Sequence, residues 1–264
     1  MTERRPVTLI TGASAGIGTA LARIFAQQGR ELLLVARREP KLREIADEIA
    51  ALGHKRPHVA SIDLERRDAA DAVADAMARL QVEPETVVNN AGFGLLGAAA
   101  SLSRPEQLAM IDVNVRALTD LSLAFVDALE RRRGGILNVA SVAAFLPGPN
   151  MAVYYATKAY VVSFSDALHW ELRPRGIRVT ALCPGPVPTE FQARAGFIDD
   201  NSTDMLALSA DRVALDGYHA LQRGRRLVAP GAFNRATTML TRFMPRALLL
   251  ASVGRYNGRR MAQR

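Results

Sequence analysis

Residues 11–18 read TGASAGIG and directly follow the apolar run VTLI, which begins at Val7. Gly12, Gly16 and Gly18 stand in a turn that leads into a helical pattern. Glycine allows a backbone to approach a ligand closely, and free N–H groups at the start of a helix bind anions. The stretch therefore predicts a pyrophosphate-binding turn after the first strand. Its spacing differs from the commoner Gly-x-Gly-x-x-Gly, so an ordinary strand-to-helix connection is the alternative.

Six further apolar, β-rich runs follow this first strand, and amphipathic helical patterns lie between them. The seven runs are VTLI from Val7, LLLV from Leu32, HVASI from His58, TVVN from Thr86, GILNVAS from Gly135, IRVTAL from Ile177 and RLVA from Arg226. Strands that are apolar almost throughout and are joined by helices form parallel sheets that helices cover on both faces. We predict a Rossmann-type doubly wound α/β fold with a seven-stranded parallel sheet, as one domain over residues 1–264. Ligands bind such sheets at the carboxyl ends of the strands.

The composition is that of a globular protein, with 49% hydrophobic and 23% charged residues. No apolar run approaches the ~18 residues of a membrane span, and the charged N-terminus lacks a cleavable apolar region. The single cysteine, Cys183, has no partner for an internal disulfide and is expected to be a small buried residue. The four histidines lack metal-ligand spacing. We therefore expect a cytoplasmic protein that binds no metal.

The net charge of +8 is unevenly distributed along the chain. Residues 217–264 contain ten arginines and neither Asp nor Glu, so the rest of the chain is slightly acidic as a whole. Nucleic-acid-binding modules combine basic residues with exposed aromatics or a known motif, and neither is evident here. We expect no nucleic-acid partner. A nucleic-acid function for the arginine-rich tail is a minor alternative, which predicts steep salt dependence.

The second strand ends at Ala36, where an NAD-binding fold would carry a ribose-binding carboxylate. Arg37 and Arg38 follow instead, and a guanidinium matches the charge and shape of a 2′-phosphate. The pair predicts NADP as the cofactor, with solvated loop charges as the other interpretation. Glu39 is the nearby acid that would favour NAD, but its position before Pro40 is typical of a helix start.

Three polar residues follow the fifth strand at suggestive spacing. Ser141 closes GILNVAS, and Tyr154 and Lys158 lie four residues apart on a helical pattern, so their side chains share one face. A nearby ammonium is expected to lower the pKa of a phenol, which can then exchange a proton with a carbonyl oxygen that Ser141 also binds. Each residue alone has a structural explanation as a cap, a packing residue or a surface charge. We assign Tyr155, three residues from the lysine, to packing.

Several further motifs accompany these residues. They are Asn89-Asn90-Ala91-Gly92, Asn114, and Pro184-Gly185 with Thr189. Together with residues 11–18, Ser141, Tyr154 and Lys158, they resemble the short-chain dehydrogenase/reductase family of the compact, single-domain type. The resemblance covers about residues 7–230.

The resemblance implies roles for individual residues. Asn114 would be a fourth catalytic residue beside Ser141, Tyr154 and Lys158, holding a water in a proton relay to the lysine. Asp63 would hydrogen-bond the adenine, and residues 184–189 would grip the nicotinamide end. The complete set of cofactor-binding residues is Gly12, Ser14, Ala15, Gly16, Ile17, Gly18, Arg37, Arg38, Asp63, Leu64, Asn90, Ala91, Gly92, Tyr154, Lys158, Pro184, Gly185, Val187 and Thr189. Ala15 departs from many NADP-using relatives, which place a basic residue in the glycine turn.

The segments expected around the reacting carbonyl are apolar. Their bulky residues are Phe93, Leu95, Leu96, Phe145, Leu146, Phe191, Phe197 and Ile198. Such a pocket would suit a lipophilic ketone or aldehyde, and residues 191–208 are expected to form a mobile lid over it. The expected function is NADP-dependent reduction of a carbonyl, or the reverse oxidation of an alcohol. The alternative is a non-catalytic NADP-binding regulatory protein, which would be expected to lack the tyrosine or the lysine.

From about residue 230 the chain becomes a basic amphipathic extension, in which large apolar residues alternate with arginines. Such a mixture is typical of an oligomer interface or of an element at a membrane surface. The expected role is packing of its apolar face against another subunit of a homo-oligomer, a dimer or a tetramer, or against the substrate lid. Weak membrane contact is the alternative.

Overall fold

The computed structural model describes residues 4–197 and 207–262, and its centre is a parallel sheet with the strand order β3-β2-β1-β4-β5-β6-β7. The strands are β1 (Arg5–Thr11), β2 (Leu32–Ala36), β3 (His58–Ser61), β4 (Val82–Asn89), β5 (Gly135–Val139), β6 (Arg178–Leu182) and β7 (Leu227–Val228). All six pairings between neighbouring strands are parallel. The predicted Rossmann-type sheet is confirmed. Among the boundaries that differ from the predicted runs, β4 begins at Val82 rather than at Thr86, and β7 has only two residues.

Helices cover both faces of the sheet, as the apolar character of the strands predicts. They are α1 (Gly16–Gln27), α2 (Glu39–Ala51), α3 (Ala69–Leu80), α4 (Arg104–Ile111), α5 (Leu118–Ala124), α6 (Val126–Arg132), α7 (Ala152–Leu172), α8 (Glu190–Ala195), α9 (Ala210–Gln222), α10 (Ala232–Leu240) and α11 (Arg246–Ala262). Apolar residues of α1, α2 and α9 pack together on one face, and those of α3, α5 and α7 pack on the other. No helix among the described residues is long and apolar enough to cross a membrane.

The strand order reverses beside β1, which pairs with β2 on one side and β4 on the other. Chain connections leave a crevice at such a switch point, just beyond the carboxyl ends of the strands. The turn after β1 and the turn after β4 therefore meet at this crevice. Glu39 opens α2 with Pro40 next to it, as its position in the sequence predicts.

A π-helical turn, Asp112–Ala117, joins α4 to α5. Such turns insert an extra residue into a helix and are frequent at functional sites. This turn carries Asn114, whose side chain is 1% exposed. The local irregularity thus places a carboxamide against the sheet, beneath the turn that follows β4.

Candidate active site

The glycine turn after β1 is built so that only glycine fits two of its positions. Gly12 and Gly16 have φ angles of +64° and +56°, in the left-handed region that glycine favours. A Cβ on Gly12 would lie 2.7 Å from the Ala91 Cα, and one on Gly16 would lie 2.9 Å from the Thr189 Cγ2. Ala15 caps α1 without a side-chain hydrogen bond. The first N–H groups of this helix are therefore available to an anion.

Gly18 lies behind the turn rather than on the cleft surface. A Cβ there would lie 2.3 Å from the Gly12 carbonyl oxygen, so its contribution is close packing of α1 on β1. The Asn90 Nδ2 donates hydrogen bonds to the carbonyl oxygens of Thr11 (2.9 Å) and Gly12 (3.1 Å). The amide thus ties the turn after β4 to the glycine turn.

Asn89, next to Asn90, faces the opposite way and is buried. Its Nδ2 donates to Ser122 Oγ and to Asn138 Oδ1, both at 2.9 Å, and the Asn138 Nδ2 donates to Ser165 Oγ at 2.9 Å. This chain of buried polar groups joins β4 and β5 to α5 and α7. A buried amide costs free energy unless it is paired, so the network stabilises one arrangement of the sheet and its helices.

One cleft of about 1040 Å³ runs along the carboxyl edge of the sheet. The sequence-predicted residues that line it are Gly12, Ser14, Ala15, Gly16, Ile17, Arg37, Arg38, Asp63, Leu64, Asn90, Ala91, Gly92, Ser141, Tyr154, Lys158, Pro184, Gly185, Val187 and Thr189. A volume of this order accommodates a dinucleotide together with a small substrate. Among the described residues, no cluster of His, Cys, Asp or Glu has the arrangement of a metal site.

The two arginines after β2 lie at one end of the cleft and both bind carboxylates. The Arg37 guanidinium is 2.9 Å from Glu65, and the Arg38 guanidinium is 2.7 Å from Glu190 and 3.2 Å from the Ser14 hydroxyl. Asp63 accepts a hydrogen bond from the Glu65 N–H at 3.0 Å. Arg38 therefore connects the glycine turn to the beginning of α8.

Tyr154 and Lys158 lie at the other end of the cleft, on α7 and four residues apart as predicted. The Lys158 Nζ is 5.9 Å from the centre of the Tyr154 ring and donates a hydrogen bond of 2.8 Å to the Val139 carbonyl oxygen. The Lys158 side chain is 5% exposed. Burial lowers the pKa of Lys158 from 10.5 to about 8.

The expected lowering of the tyrosine pKa by the lysine is wrong for the protein alone. Burial raises the pKa of Tyr154 well above its ordinary value; interaction with the Ser141 hydroxyl opposes this rise, and Tyr155 adds to it. The free-energy cost of removing the Tyr154 phenolate from water exceeds the stabilisation that the partly desolvated Lys158 ammonium provides at this distance. The Tyr154 hydroxyl therefore stays protonated at neutral pH.

Ser141 caps a short 3₁₀ turn, Val142–Phe145, that follows β5. Its Oγ accepts a hydrogen bond from the Ala143 N–H at 3.1 Å and donates a long one of 3.5 Å to the Pro184 carbonyl oxygen. The backbone thus fixes the hydroxyl beside Tyr154. Because the hydrogen bond that Ser141 donates to Pro184 is long and weak, the hydroxyl can donate to a better acceptor instead.

Asn114 lies behind the cleft wall and does not line the cleft itself. Its Oδ1 accepts from the Phe93 N–H at 3.1 Å, and its Nδ2 donates to the Phe93 carbonyl oxygen (3.0 Å) and to Thr157 Oγ1 (3.1 Å). A Cβ on Gly92 would lie 2.9 Å from the Asn114 Oδ1 and 3.4 Å from the Lys158 Nζ. The carboxamide and the ammonium therefore share a buried space behind Gly92.

Some of the apolar residues expected around the substrate line the cleft, and others do not. Phe93, Leu146, Phe191 and Phe197 line the cleft, and the Phe191 ring centre is 5.4 Å from that of Tyr154. Leu95, Leu96 and Phe145 do not line it, because they pack against the buried clusters under the sheet. Ile198 and the rest of residues 198–206 of the expected lid segment lie outside the described residues.

Tyr155 and Cys183 have the packing roles expected from the sequence. The Tyr155 ring lies edge-on to Tyr154, with ring centres 6.1 Å apart, and a Cβ on Gly148 would touch it at 2.1 Å. Cys183 is fully buried, and burial raises the pKa of its thiol to about 12. Tyr155 also lines the cleft, whereas Cys183 does not.

Arg194 and helix α11 are among the contributions to the cleft that the predicted site residues do not include. Arg194 of α8 lines the cleft, with its guanidinium 4.1 Å from the centre of the Phe93 ring. Burial lowers the pKa of Arg194, and the like charges of Arg37 and Arg38 lower it further. The closeness of three cations at one end of the cleft is a tertiary feature, since α8 and β2 are far apart in sequence.

The second contribution comes from α11. Its Ser252, Val253, Tyr256, Asn257 and Arg260 line the substrate end of the cleft. The Asn257 Nδ2 donates to the Pro149 carbonyl oxygen at 2.8 Å, and the Arg260 guanidinium lies 4.8 Å from the centres of the Phe197 and Tyr256 rings. The helix is thus fastened over the cleft by a buried amide. The repeated arginines of this segment made the cleft-facing side of α11 difficult to recognise in the sequence pattern.

The geometry of the fold and its polar groups agrees with comparisons to known proteins. A sequence model described as short chain dehydrogenase matches residues 6–196. The chain belongs to this family. The matched region contains the glycine turn, Ser141, Tyr154 and Lys158, whereas α10 and α11 lie beyond it.

Individual members of the short-chain dehydrogenase/reductase family are also similar to this chain. Sulfoacetaldehyde reductase 2 of Chromohalobacter salexigens is 37% identical over 188 residues, which are 70% of this chain and 74% of that protein. The structure of a short-chain dehydrogenase from Sphingobium yanoikuyae in complex with NADPH is 30% identical, with a TM-score of 0.77, and covers 88% of this chain and 90% of that one. The 3-ketoacyl-(acyl-carrier-protein) reductase from Brucella melitensis, complexed with NADH, is 28% identical with a TM-score of 0.76 over 88% of this chain and 98% of that one. The protein is therefore an oxidoreductase of this family with a site for a nicotinamide cofactor.

The cleft itself fits such a cofactor. The left-handed glycines form a cradle that a Cβ would fill, and the uncapped start of α1 faces it. Arg37 and Arg38 supply positive charge at the end that adenosine would occupy, and Thr189 lies across from Gly16 at the rim. A dinucleotide bound in this way would extend from the arginines to Tyr154.

Proposed function

We propose that this protein is an NADP(H)-dependent oxidoreductase that transfers hydride between the nicotinamide and a carbonyl or alcohol substrate, with a lipophilic ketone or aldehyde as the substrate. The observation that carries the proposal is the pair of Tyr154 and Lys158, both buried at one end of a dinucleotide-sized cleft and beside the Ser141 hydroxyl. A protein that only binds the cofactor has no need to bury an ammonium at a cost in stability.

In the reducing direction, Tyr154 acts as the proton donor. Its hydroxyl remains protonated at neutral pH because burial raises its pKa, so it can donate to a carbonyl oxygen placed against it. Ser141 donates a second hydrogen bond to the same oxygen and stabilises the negative charge that develops there. The bound nicotinamide supplies the hydride. Backbone contacts hold the Ser141 hydroxyl, which interacts with Tyr154, so both groups would reach the oxygen together.

Lys158 and Asn114 serve behind the tyrosine. The Lys158 ammonium donates to the Val139 carbonyl oxygen and has further N–H groups directed into the buried space that it shares with Asn114. With a pKa of about 8, Lys158 can gain or lose a proton near neutral pH at little cost. This supports the proton relay to the lysine that the family resemblance implies for Asn114.

NADP is proposed over NAD because of the charges around the adenosine end. Arg37 and Arg38 stand where a ribose-binding carboxylate would favour NAD, and Arg194 adds a third cation nearby. The acids in this region, Glu65 and Glu190, are paired with the two arginines. Guanidinium groups bind phosphate in two-point contacts, so a 2′-phosphate would replace the carboxylates.

A lipophilic substrate is proposed from the surface at the reacting end. Phe191 packs against Tyr154, and Phe197, Leu146 and Val253 line the space beyond it. Burial of an apolar substrate against such side chains contributes roughly 25 cal/mol per Å². The hydroxyl groups of a sugar would find no partners on these apolar side chains.

The proposed organisation is a single catalytic domain with the C-terminal extension packed on it, acting in the cytoplasm as a homo-oligomer. The extension contributes side chains to the cleft, which supports one functional unit rather than two. The assembly into dimers or tetramers stays a prediction that sedimentation would test.

Oxidation of NADPH with a graded series of carbonyl compounds tests the proposal. Linear aldehydes, alkyl ketones and aryl ketones of increasing size would be compared with sugars and amino-acid aldehydes, using the absorbance of the reduced nicotinamide. We expect kcat/KM to rise with apolar surface and to fall for polar analogues. Tight NADPH binding with no turnover of any carbonyl compound or alcohol would instead favour the non-catalytic regulatory protein.

A further inference from the structure

Helix α10 presents its side chains in the reverse of the usual order. Its inward-facing residues are the polar Asn234 and Thr238, which are 5% and 8% exposed, whereas Met239 and Leu240 are 67% and 61% exposed. The Asn234 Nδ2 donates to the Pro230 carbonyl oxygen at 2.7 Å, and a Cβ on Gly185 would touch its Oδ1 at 2.4 Å. Small polar residues therefore fasten the helix to the protein while its large apolar residues point outward.

The same exposure continues into the next turn and the beginning of α11. Phe243 is 86% exposed, and Met244, Leu248 and Leu250 are 42%, 56% and 44% exposed, whereas Leu249 between them is buried. We define the apolar patch as Met239, Leu240, Phe243, Met244, Leu248 and Leu250. A concentration of exposed large apolar side chains in one segment of a folded protein is typical of an interaction site.

The charges around the apolar patch have one sign. Arg235, Arg242 and Arg246 alternate with its apolar residues, and residues 217–264 contain no Asp or Glu. Within the two described ranges, none of these three arginines forms a salt bridge, although arginines elsewhere in the chain repeatedly do. An occupant of the patch must therefore offer an apolar interior bordered by negative charge.

We propose that the apolar patch docks on an anionic lipid membrane, with its large side chains in the interface and its arginines at the headgroups. The combination of exposed Phe, Leu and Met with arginines is the pattern of a segment that lies in a membrane surface. A second copy meeting the patch across a two-fold axis would bring the same arginines together without carboxylates from this segment. Like charges in contact disfavour that arrangement.

The position of α10 relates this surface to the cleft. Phe233 and Thr237 on this helix line the substrate end of the cleft, and Phe233 is also 60% exposed. One helix therefore borders both the mouth of the cleft and the apolar patch. Docking through the patch would place the mouth beside the lipid surface.

Vesicle binding of the full chain tests the proposal with a built-in reporter. The protein has one tryptophan, Trp170, which is 77% exposed on α7 and outside the patch. In the variant W170F/F243W the tryptophan would sit in the patch. We expect its emission to shift to the blue with phosphatidylcholine vesicles that contain phosphatidylglycerol, and much less with phosphatidylcholine alone or in molar salt. Trp170 of the unchanged protein should not shift with either vesicle.

Flotation of variants with the same vesicles gives the quantitative measure. L240S/F243S should lower the partition coefficient at least tenfold, and R242Q/R246Q should lower it by about fivefold for each arginine removed. Leu52, which is 59% exposed on another face, provides the matched control L52S, which should bind as the unchanged protein does. NADPH oxidation with a water-soluble aldehyde shows that each variant is folded.

Two results would overturn the proposal. One is the absence of binding to anionic vesicles, or binding that L240S/F243S and L52S reduce equally. The other is sedimentation showing that L240S/F243S separates an oligomer into smaller species while vesicle binding is absent, which would make the patch a subunit interface.

Discussion

Lys158, near Tyr154 in the cleft, is 5% exposed and donates a hydrogen bond to a backbone carbonyl oxygen. Arg37 and Arg38, at the other end of the cleft, have side chains that are 47% and 48% exposed, and both bind carboxylates. Burial changes the pKa of the lysine, and solvent screens the charges of the arginines. In the proposed function, the two ends of the cleft therefore serve different purposes. Chemistry requires fixed groups with altered proton affinity, whereas recognition of a cofactor phosphate is served by exposed and exchangeable charges.

The sharpest test of the reacting end is Tyr154→Phe. This change removes the acidic hydroxyl alone, so turnover should fall by about 10²–10⁴-fold while NADPH still binds. Steady-state kinetics and fluorescence titration of NADPH measure the two effects. Tyr155→Phe is the matched control, because its ring packs against Tyr154 and its change should be much milder. The opposite ranking would transfer the catalytic role to Tyr155.

Lys158→Met tests the cost of burying the ammonium. The folded protein holds this proton more weakly than the unfolded chain, because its pKa is about 8 when folded and 10.5 as the ordinary value. The buried charge therefore lowers stability below pH 8, and this cost decreases as the pH rises from 8 to 10.5. The stability of the Met variant relative to the unchanged protein should be greater at pH 7 than at pH 10 by about 2–3 kcal/mol.

Urea unfolding of both proteins at the two pH values measures this difference, and the variant should have lost turnover. Lys41→Met is the control, since Lys41 is an exposed residue that pairs with Glu44. If the free energies of unfolding of Lys158→Met and the unchanged protein differed by the same amount at both pH values, burial would not perturb the pKa of the lysine.

Arg37→Gln/Arg38→Gln tests the adenosine end. A charge-assisted hydrogen bond contributes ~1.5–3 kcal/mol, so NADPH affinity should fall by about ten- to a hundred-fold and NADH affinity should change little. Calorimetric titration with both cofactors measures this. Arg43→Gln, which removes an arginine paired with Glu39 on the same helix, is the control. Equal affinity of the unchanged protein for NADPH and NADH would contradict the proposed cofactor.

The smallest expected effect comes from the acid that pairs with Arg37. Exposed ion pairs contribute ~0.2–1 kcal/mol, so Glu65→Gln should release the arginine and raise NADPH affinity by up to about fivefold. Glu44→Gln, in another exposed pair, should leave it unchanged. If Glu65→Gln weakened NADPH binding, the carboxylate would be orienting the arginine rather than competing with the phosphate.

The apolar strands and the glycine turn predicted the sheet well because they follow local rules. Strands that are buried on both faces are apolar almost throughout, and β2 (LLLVA) shows this directly. The buried parts of β1 and β5 are apolar except for Thr8, Thr11 and Asn138. The beginning of β4 was harder to see, because Glu83, Pro84 and Glu85 resemble a loop. Pairing with β1 carries the strand through them.

The apolar residues near the site were predicted less well. Leu96 and Phe145 pack under the sheet, while Phe93 and Phe191 face the cleft. All of them lie in loops or short helices, where no periodicity shows which way a side chain points. Arg194 and α11 were missed for a related reason, since segments distant in sequence bring them to the cleft.

The sequence by itself determined the parallel sheet, the glycine cradle and the spacing of Tyr154 and Lys158, because each depends on residue type and on the geometry of one or two neighbouring elements. The tertiary structure decided the direction of the tyrosine pKa, the partners of the arginines and the outward face of α10. Burial and charge pairing sum over all the elements that surround a group. No local pattern contains that sum. The spacing could place the Lys158 ammonium near the Tyr154 phenol, but it could not show that desolvation would raise the tyrosine pKa by more than the ammonium lowers it.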